Sequence, residues 1–362
     1  MEINLLISEL IAGGLVLLSF LMFSNAIKVN RKPNIYFGIC LFIWSSFWWD
    51  EILFRDLLAQ DYAVFVGVRF MQFLTPLVFY LSVLFYSNPY YKYSAKDSGH
   101  CILPLLFLLL LLCKPVIGGA LFQGLYLFFV LGNSLVYITL AYFKIQKHRK
   151  NIEGFASNKE NIDLNWITYI IYAIIAASVI ATFYNIFTTQ KSLNTYINLF
   201  FLVVVYLVAF HTVRQKEIYP KGLRIEDVIA ESDETETNSK NKLVDDAELE
   251  ELKIKLTILM EKDKPYLDNE LNLIRLAEKM CISGHQLSYV INQGFEENFF
   301  YFVNKYRVKK AMELLKNSEY DKLTILAIGF ESGFNSKTSF NTAFKKITTF
   351  TPTDYRKNRS DL

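Results

Sequence analysis

Two arrangements of hydrophobic positions divide this chain of 362 residues. Before about residue 213, long apolar runs recur, whereas the remainder mixes charged and apolar positions. About 20 apolar residues in a helix cross a hydrocarbon core of about 30 Å. By that measure about seven membrane spans are predicted. They cover residues 4–26, 35–54, 63–86, 101–119, 121–143, 164–187 and 193–213.

Two dipeptides interrupt this pattern. Lys114-Pro115 shortens the fourth apolar run, and Thr75-Pro76 predicts a kink in the middle of the third span, because proline removes a helical hydrogen bond.

The short loops between the spans differ in positive charge. Fourteen Lys or Arg residues fall on one side and three on the other, Arg55, Lys114 and Lys191. Cytoplasmic loops retain Lys and Arg. This asymmetry predicts a multi-pass protein of the bacterial cytoplasmic membrane with its N-terminus outside and its C-terminus in the cytoplasm.

Polar side chains within the spans gather at one predicted depth, toward the outer leaflet. Ionisable groups there are costly unless they are paired or hydrated. Two interpretations stay open: a sensor pocket or ionic lock for an unknown ligand, or interfacial residues with a structural Asp50 or Glu51 to Arg69 pair. Nearby Trp44, Trp48 and Trp49 could line such a pocket or form an interfacial belt. The candidate pocket residues are Asp50, Glu51, Arg69, Gln72, Asn185 and Asn198.

A hydrophilic segment separates the predicted sensor region, residues 1–215, from the rest of the chain. Residues 216–263 contain an acidic linker and then a helix with Leu249, Leu252, Leu256 and Leu259 on one stripe. The stripe is either a short seam of a homodimer or a surface that docks on the following domain.

Residues 264–362 are predicted to form a soluble helical domain that contains two helix-turn-helix units, so the whole chain is of the all-α class. In the first unit, Ser283 is a natural N-cap for a second helix. In the second, Phe340 and Phe344 face inward one turn apart. Helices of this kind present their outer side chains to the DNA major groove. The outward residues are His285, Gln286, Ser288, Tyr289 and Asn292 in the first unit, and Lys337, Thr338, Asn341, Thr342 and Lys345 in the second.

The motifs LAEKM, NKYRVKKAMELL, IGFESGFNSKTSFNTAFKK and TPTDYR follow one another over about 85 residues. In this order and spacing they resemble the C-terminal domain of AraC/XylS-family transcription regulators. The resemblance implies two reading helices about one DNA turn apart and regulation of nearby genes through RNA polymerase. The upstream half is similar to the multi-span sensors of membrane-bound relatives.

Three residues depart from the family pattern. Cys281, Glu296 and Thr349 stand where relatives usually carry glycine or another turn-tolerant residue, so we expect strained turns there. From Pro265 onward, fourteen basic residues against eleven acidic ones make the domain only mildly basic.

The remaining composition argues against other classes of site. Four dispersed cysteines without a C-x-x-C pair favour neither a disulfide framework nor a zinc site. We expect no catalytic residues, no metal and no cofactor.

We therefore expect a membrane-anchored transcription regulator that reads double-stranded DNA and responds to a signal in or across the bilayer. The alternative is a membrane transporter or enzyme whose C-terminal DNA-binding domain serves as an autoregulatory or assembly module. A third interpretation is a regulator that is tethered until proteolysis releases it.

Overall fold

The computed structural model describes residues 2–26, 29–53, 55–187, 193–219 and 245–358. Within these ranges the chain is helical and contains no strand, which confirms the all-α class. The chain forms two compact units. The first comprises residues 1–147 and 164–218, and the second comprises residues 148–163 and 219–362.

The first unit is a set of apolar helices. They are α1 (Glu2–Phe23), α2 (Arg31–Ile52), α3 (Arg55–Gln60), α4 (Tyr62–Phe73), α5 (Thr75–Ser87), α6 (Ile102–Leu112), α7 (Gly119–Ile152), α8 (Asn165–Phe187) and α9 (Leu193–Arg214).

Five helical segments in the described residues are long and apolar enough to cross a membrane: Ile3–Phe23, Tyr62–Ser87, Ala95–Leu112, Gly119–Ile152 and Thr195–Arg214. Helices also occupy the other two predicted positions, α2 and α8. Charged residues at both ends of α2 lower its hydropathy, and α8 counts only as a shorter apolar helix over Asn165–Ala177. The count of seven spans stays a prediction.

Large apolar side chains cover much of the outer surface of this unit. On α7, Phe128 is 71% exposed and Leu135 is 70% exposed. Soluble monomers rarely expose contiguous apolar patches of this kind. Lipid is a solvent that suits such a surface.

The third predicted span is broken where proline predicts a kink. Helix α4 ends at Phe73 and α5 begins at Thr75, with Pro76 in its first turn. The buried Asn133 side chain donates to the Phe73 carbonyl at 2.9 Å, which satisfies a backbone group that the break leaves free.

The second unit contains the remaining helices. They are α10 (Asp246–Lys262), α11 (Leu273–Met280), α12 (Gly284–Tyr289), α13 (Phe299–Lys316), α14 (Ile325–Glu331), α15 (Lys337–Thr348) and α16 (Pro352–Lys357). The acidic linker over 220–244 lies outside the described residues.

The leucine stripe of α10 is occupied by packing within its own unit. Leu252 and Leu256 are buried, together with Met260 one turn later. Lys255 donates to the Met280 carbonyl at the end of α11, at 3.0 Å. The stripe is therefore docked on the following domain, as one of its two interpretations predicts, and the homodimer seam stays a prediction.

Candidate nucleic-acid interface

The first helix-turn-helix unit consists of α11 and α12. Leu276, Ala277 and Leu287 are buried where the two helices meet. The turn between them begins at Cys281 with φ 58°, and Ser283 then caps α12, because its hydroxyl accepts from the Gln286 amide at 3.1 Å. The left-handed residue Cys281 thus ends α11, and the Ser283 cap begins α12.

The second helix-turn-helix unit consists of α14 and α15, and these two helices pack closely against each other. Phe340 is fully buried, and a Cβ on Gly329 would lie 2.7 Å from its ring, so only glycine lets the two helices approach this closely. The Ser336 hydroxyl accepts from the Ser339 amide at 3.2 Å and caps α15. Phe344 packs one turn after Phe340, as the sequence predicts, with Tyr355 of α16 against it.

Helix α13 links the two units, and a buried arginine anchors it. Arg307 is 1% exposed, and it donates to the carbonyls of Tyr266 and Asp268, each at 2.8 Å. Burial lowers the pKa of Arg307 to about 10, so the guanidinium stays charged at neutral pH. The charge is satisfied chiefly by backbone carbonyls, and this fixes α13 on the segment that leads into α11.

The predicted reading residues of α15 are all accessible. Lys337, Thr338, Thr342 and Lys345 are exposed, and Asn341 is half-buried. Together they form a polar face on a capped helix whose opposite face is locked in the core. This face we call the α15 face. Lys346, which was not among the predicted residues, is also exposed and follows Lys345 directly.

The predicted reading residues of the first unit are less accessible. His285, Gln286, Tyr289 and Asn292 are half-buried. The Gln286 side-chain oxygen accepts from the Ser283 amide at 3.0 Å, so it completes a capping box.

Ser288 was predicted to be exposed, and that prediction is wrong. It is 4% exposed. Ser288 lies within α12, next to the buried Leu287 and three residues before the buried Ile291, so it falls on the inward side of the helix. The Ser288 hydroxyl instead accepts from the Asn292 amide at 3.3 Å.

The three non-glycine turn residues do adopt left-handed backbone conformations. The φ angles are 58° at Cys281, 55° at Glu296 and 68° at Thr349. Residues other than glycine pay about 1–2 kcal/mol in this region, so the expected strain is present. Thr349 is the most costly of the three because it is β-branched.

In the compact unit of residues 1–147 and 164–218, three of the predicted sensor residues lie together. Arg69 forms an ion pair with Asp50 and also donates to the Gln72 side-chain oxygen at 2.7 Å. The Gln72 amide donates back to Asp50 at 3.2 Å and to the Ser46 carbonyl at 3.3 Å. The Asp50–Arg69 pair foreseen as the structural alternative is therefore present, and its two side chains are mostly buried.

Asn198 belongs to a different cluster. It accepts from the Trp48 indole at 3.1 Å, and its amide donates to Asn4 at 3.1 Å and Ser8 at 3.3 Å. Trp48 is thus buried and hydrogen-bonded, unlike a residue of an interfacial belt. The side chains of Glu51 and Asn185 lie outside the described part of the chain.

A small cavity lies elsewhere in this unit, between α8 and α9. Its volume is about 80 Å³, and its lining includes Trp166, Val204 and His211. Pockets for drug-sized ligands are several times larger. It can take only a small group.

Residues 276–358 match a family model described as a helix-turn-helix domain, which is of the AraC type. The match supports an AraC-type DNA-binding domain. It also favours a DNA-binding transcription regulator over an enzyme. No curated protein and no solved structure matches the chain.

Proposed function

We propose that this chain is a membrane-anchored, sequence-specific transcription regulator. Its DNA-reading surface comprises the α15 face and the accessible residues of α12. The compact unit of residues 1–147 and 164–218 is its membrane anchor and its sensor. The proposal rests on one observation: a double helix-turn-helix unit and five helices apolar enough to cross a membrane occur in the same chain.

The α15 face supplies the chemistry that a duplex requires. Lys337 and Lys345 are exposed cations, and they suit phosphate oxygens, whose neutralisation dominates protein–DNA affinity. Asn341 between them suits the edge of an adenine, which a side-chain amide reads with two hydrogen bonds. The cap at Ser336 and the buried Phe340 hold these groups in place before DNA arrives.

The signal input is proposed to be the polar cluster of Asp50, Arg69 and Gln72. An ion pair within apolar helices has two stable outcomes, paired or replaced by a competing polar ligand, because an unpaired charge there is costly. A ligand that binds one of these states more tightly shifts the population of the whole unit. The predicted orientation, with the N-terminus outside, would expose this cluster to the outer face.

Chromatin immunoprecipitation of the intact protein tests DNA binding. The wild type should enrich discrete chromosomal sites, and the K337A/N341A variant should lose most of that enrichment. A matched control is K262A, which removes an exposed lysine from α10 of the same unit. If the wild type and K337A/N341A recover DNA equally, at background level, the proposal fails.

Anchoring is tested in the same cells. After alkaline extraction of the membranes, the wild type should stay in the pellet, since only integral proteins resist this treatment. Recovery of the full-length chain in the soluble fraction would contradict the anchor.

A further inference from the structure

The connection between α7 and α8 lies within the DNA-reading unit. Residues 148–163 comprise the last residues of α7, which ends at Ile152, and most of the loop to α8, yet they group with residues 219–362. In the sequence, residues 216–263 are the segment that separates the predicted sensor region from the reader. The grouping makes this connection a second covalent link between the two units.

The connection is joined to the reader by backbone hydrogen bonds. The Leu273 amide, at the start of α11, donates to the Phe155 carbonyl at 2.9 Å. The Phe300 amide, at the start of α13, donates to the Glu153 carbonyl at 2.9 Å. The first of these bonds flanks an isolated antiparallel β-bridge between Ala156 and Asn272. Together these backbone contacts fix the alignment of the connection with the first residues of α11 and of α13.

Side chains make the contact specific. Phe155 is 1% exposed. Ser157 is 2% exposed, and its hydroxyl donates to the Leu271 carbonyl at 2.5 Å while it accepts from Arg307 at 3.0 Å. Arg307 also donates to the Ser157 carbonyl at 3.2 Å. The Asn304 amide donates to the same carbonyl, at 3.2 Å. A serine with both its hydroxyl and its carbonyl engaged by a buried cation is held in a single position.

The ends of the connection are held in the same unit. His148 is 1% exposed, and its Nε2 lies 2.8 Å from the Ile162 carbonyl, which closes the segment on itself. Lys159 forms an ion pair with Glu153 at 2.7 Å and lies 4.3 Å from the centre of the Phe300 ring. The segment therefore has its own internal fold as well as its contacts with α13.

We infer that residues 148–163 are an intramolecular docking segment whose partner is the surface of α11 and α13 around Arg307. The segment contacts the first turn of α13 through Glu153, and it contacts Asn304 and Arg307, one and two turns later, through Ser157. Helix α13 separates the two helix-turn-helix units, so a shift of the segment acts on the element that sets their spacing. α7 passes into the segment without a break. The regulatory consequence rests on the proposed function, whereas the docking does not.

The test separates docking from covalent attachment. A site for a specific protease is placed within 225–240 of the full-length chain, which carries an affinity tag at its N-terminus. The protein is purified in detergent and cleaved, and the N-terminal fragment is captured. We expect the C-terminal fragment, which carries both helix-turn-helix units, to be retained on the capture resin.

The substitutions lie in residues 148–163, which belong to the N-terminal fragment, so the C-terminal fragment is unchanged in every variant. F155A/S157A should weaken retention at least about 100-fold, as expected for loss of a buried aromatic ring. The matched control is E160A, which changes an exposed residue of the same segment and should leave retention unchanged. Release of the wild-type fragment on cleavage would overturn the inference, and so would equal retention of F155A/S157A.

Hydrogen exchange on the uncleaved F155A/S157A chain guards against a merely misfolded variant. Peptides of α15 should keep wild-type protection, while peptides of the first turn of α13 exchange faster; no change at α13 would overturn the inference. No DNA enters either measurement. Failure of the docking therefore leaves the DNA-binding proposal standing, and loss of chromatin recovery leaves the docking standing.

Discussion

Gly333, in the turn of the second helix-turn-helix unit, offers a direct test of the packing described above. Its φ is +88°, in the left-handed region. A Cβ at this position would lie 2.3 Å from the Tyr266 carbonyl oxygen and 2.9 Å from the Leu267 Cα. Both neighbours are backbone atoms, so no change of side-chain rotamer relieves the overlap. Gly333→Ala must displace the turn from the segment that precedes α11.

The expected cost has two parts. The left-handed conformation costs a residue with a Cβ about 1–2 kcal/mol. Displacing a packed backbone costs about 1–3 kcal/mol more. The sum of about 2–5 kcal/mol is a large share of the free energy of unfolding of a typical domain, which is about 5–15 kcal/mol. The compact unit that contains both helix-turn-helix units should therefore unfold transiently far more often.

Hydrogen exchange followed by mass spectrometry on the intact protein measures this opening. Peptides covering α14 and α15 should lose protection by about 30-fold or more, the equivalent of about 2 kcal/mol. Gly294→Ala is the matched control. Its Cβ would meet the Lys253 side chain at 2.7 Å, and this flexible chain can move aside. A loss of protection below about threefold for Gly333→Ala, or an equal loss in the control, would refute the reasoning.

Two further substitutions test strain and charge pairing. Thr349→Gly should raise protection of the α15 peptides by about 0.5–1 kcal/mol, because relief of the left-handed strain exceeds the entropy that glycine adds to the unfolded chain; reduced protection would contradict this. In the membrane unit, D50N should lower the midpoint of thermal unfolding in detergent, at a cost of about 1–3 kcal/mol, because it leaves Arg69 unpaired. The double variant D50N/R69Q should recover much of that loss, and purely additive effects would show that the two side chains are not coupled.

Local signals in the sequence were sufficient for the helices of the reader. Ser283 and the pair Phe340 and Phe344 specify a cap and a buried face from near neighbours alone, and the structure has both. The left-handed turns at Cys281 and Thr349 follow from where glycine is usually required. These features depend on contacts within about four residues, which periodicity and capping rules describe.

The sequence was misleading where a position lies at the edge of a buried helix face or where distant segments meet. Ser288 was assigned outward, but its neighbour Leu287 and Ile291, three residues later, are both buried and place it on the inward side of α12. The polar residues assigned to one sensor pocket divide into two clusters, because Asn198 pairs with Trp48 and α1 instead of with Asp50. The position of each polar residue along its helix could be predicted from the sequence, but the direction in which its side chain faces around the helix axis could not.

By itself, the sequence determined that the chain is helical, that its first part carries apolar helices of membrane-crossing length, and that a tandem helix-turn-helix unit follows. Only the tertiary structure decided that residues 148–163 belong with the reader and that Arg307 is directed at Ser157. The physical reason is sequence distance. A hydrogen bond between residues about 150 positions apart produces no periodic pattern in the sequence. A buried arginine therefore cannot be distinguished from an exposed one until the carbonyl groups that accept its hydrogen bonds are known.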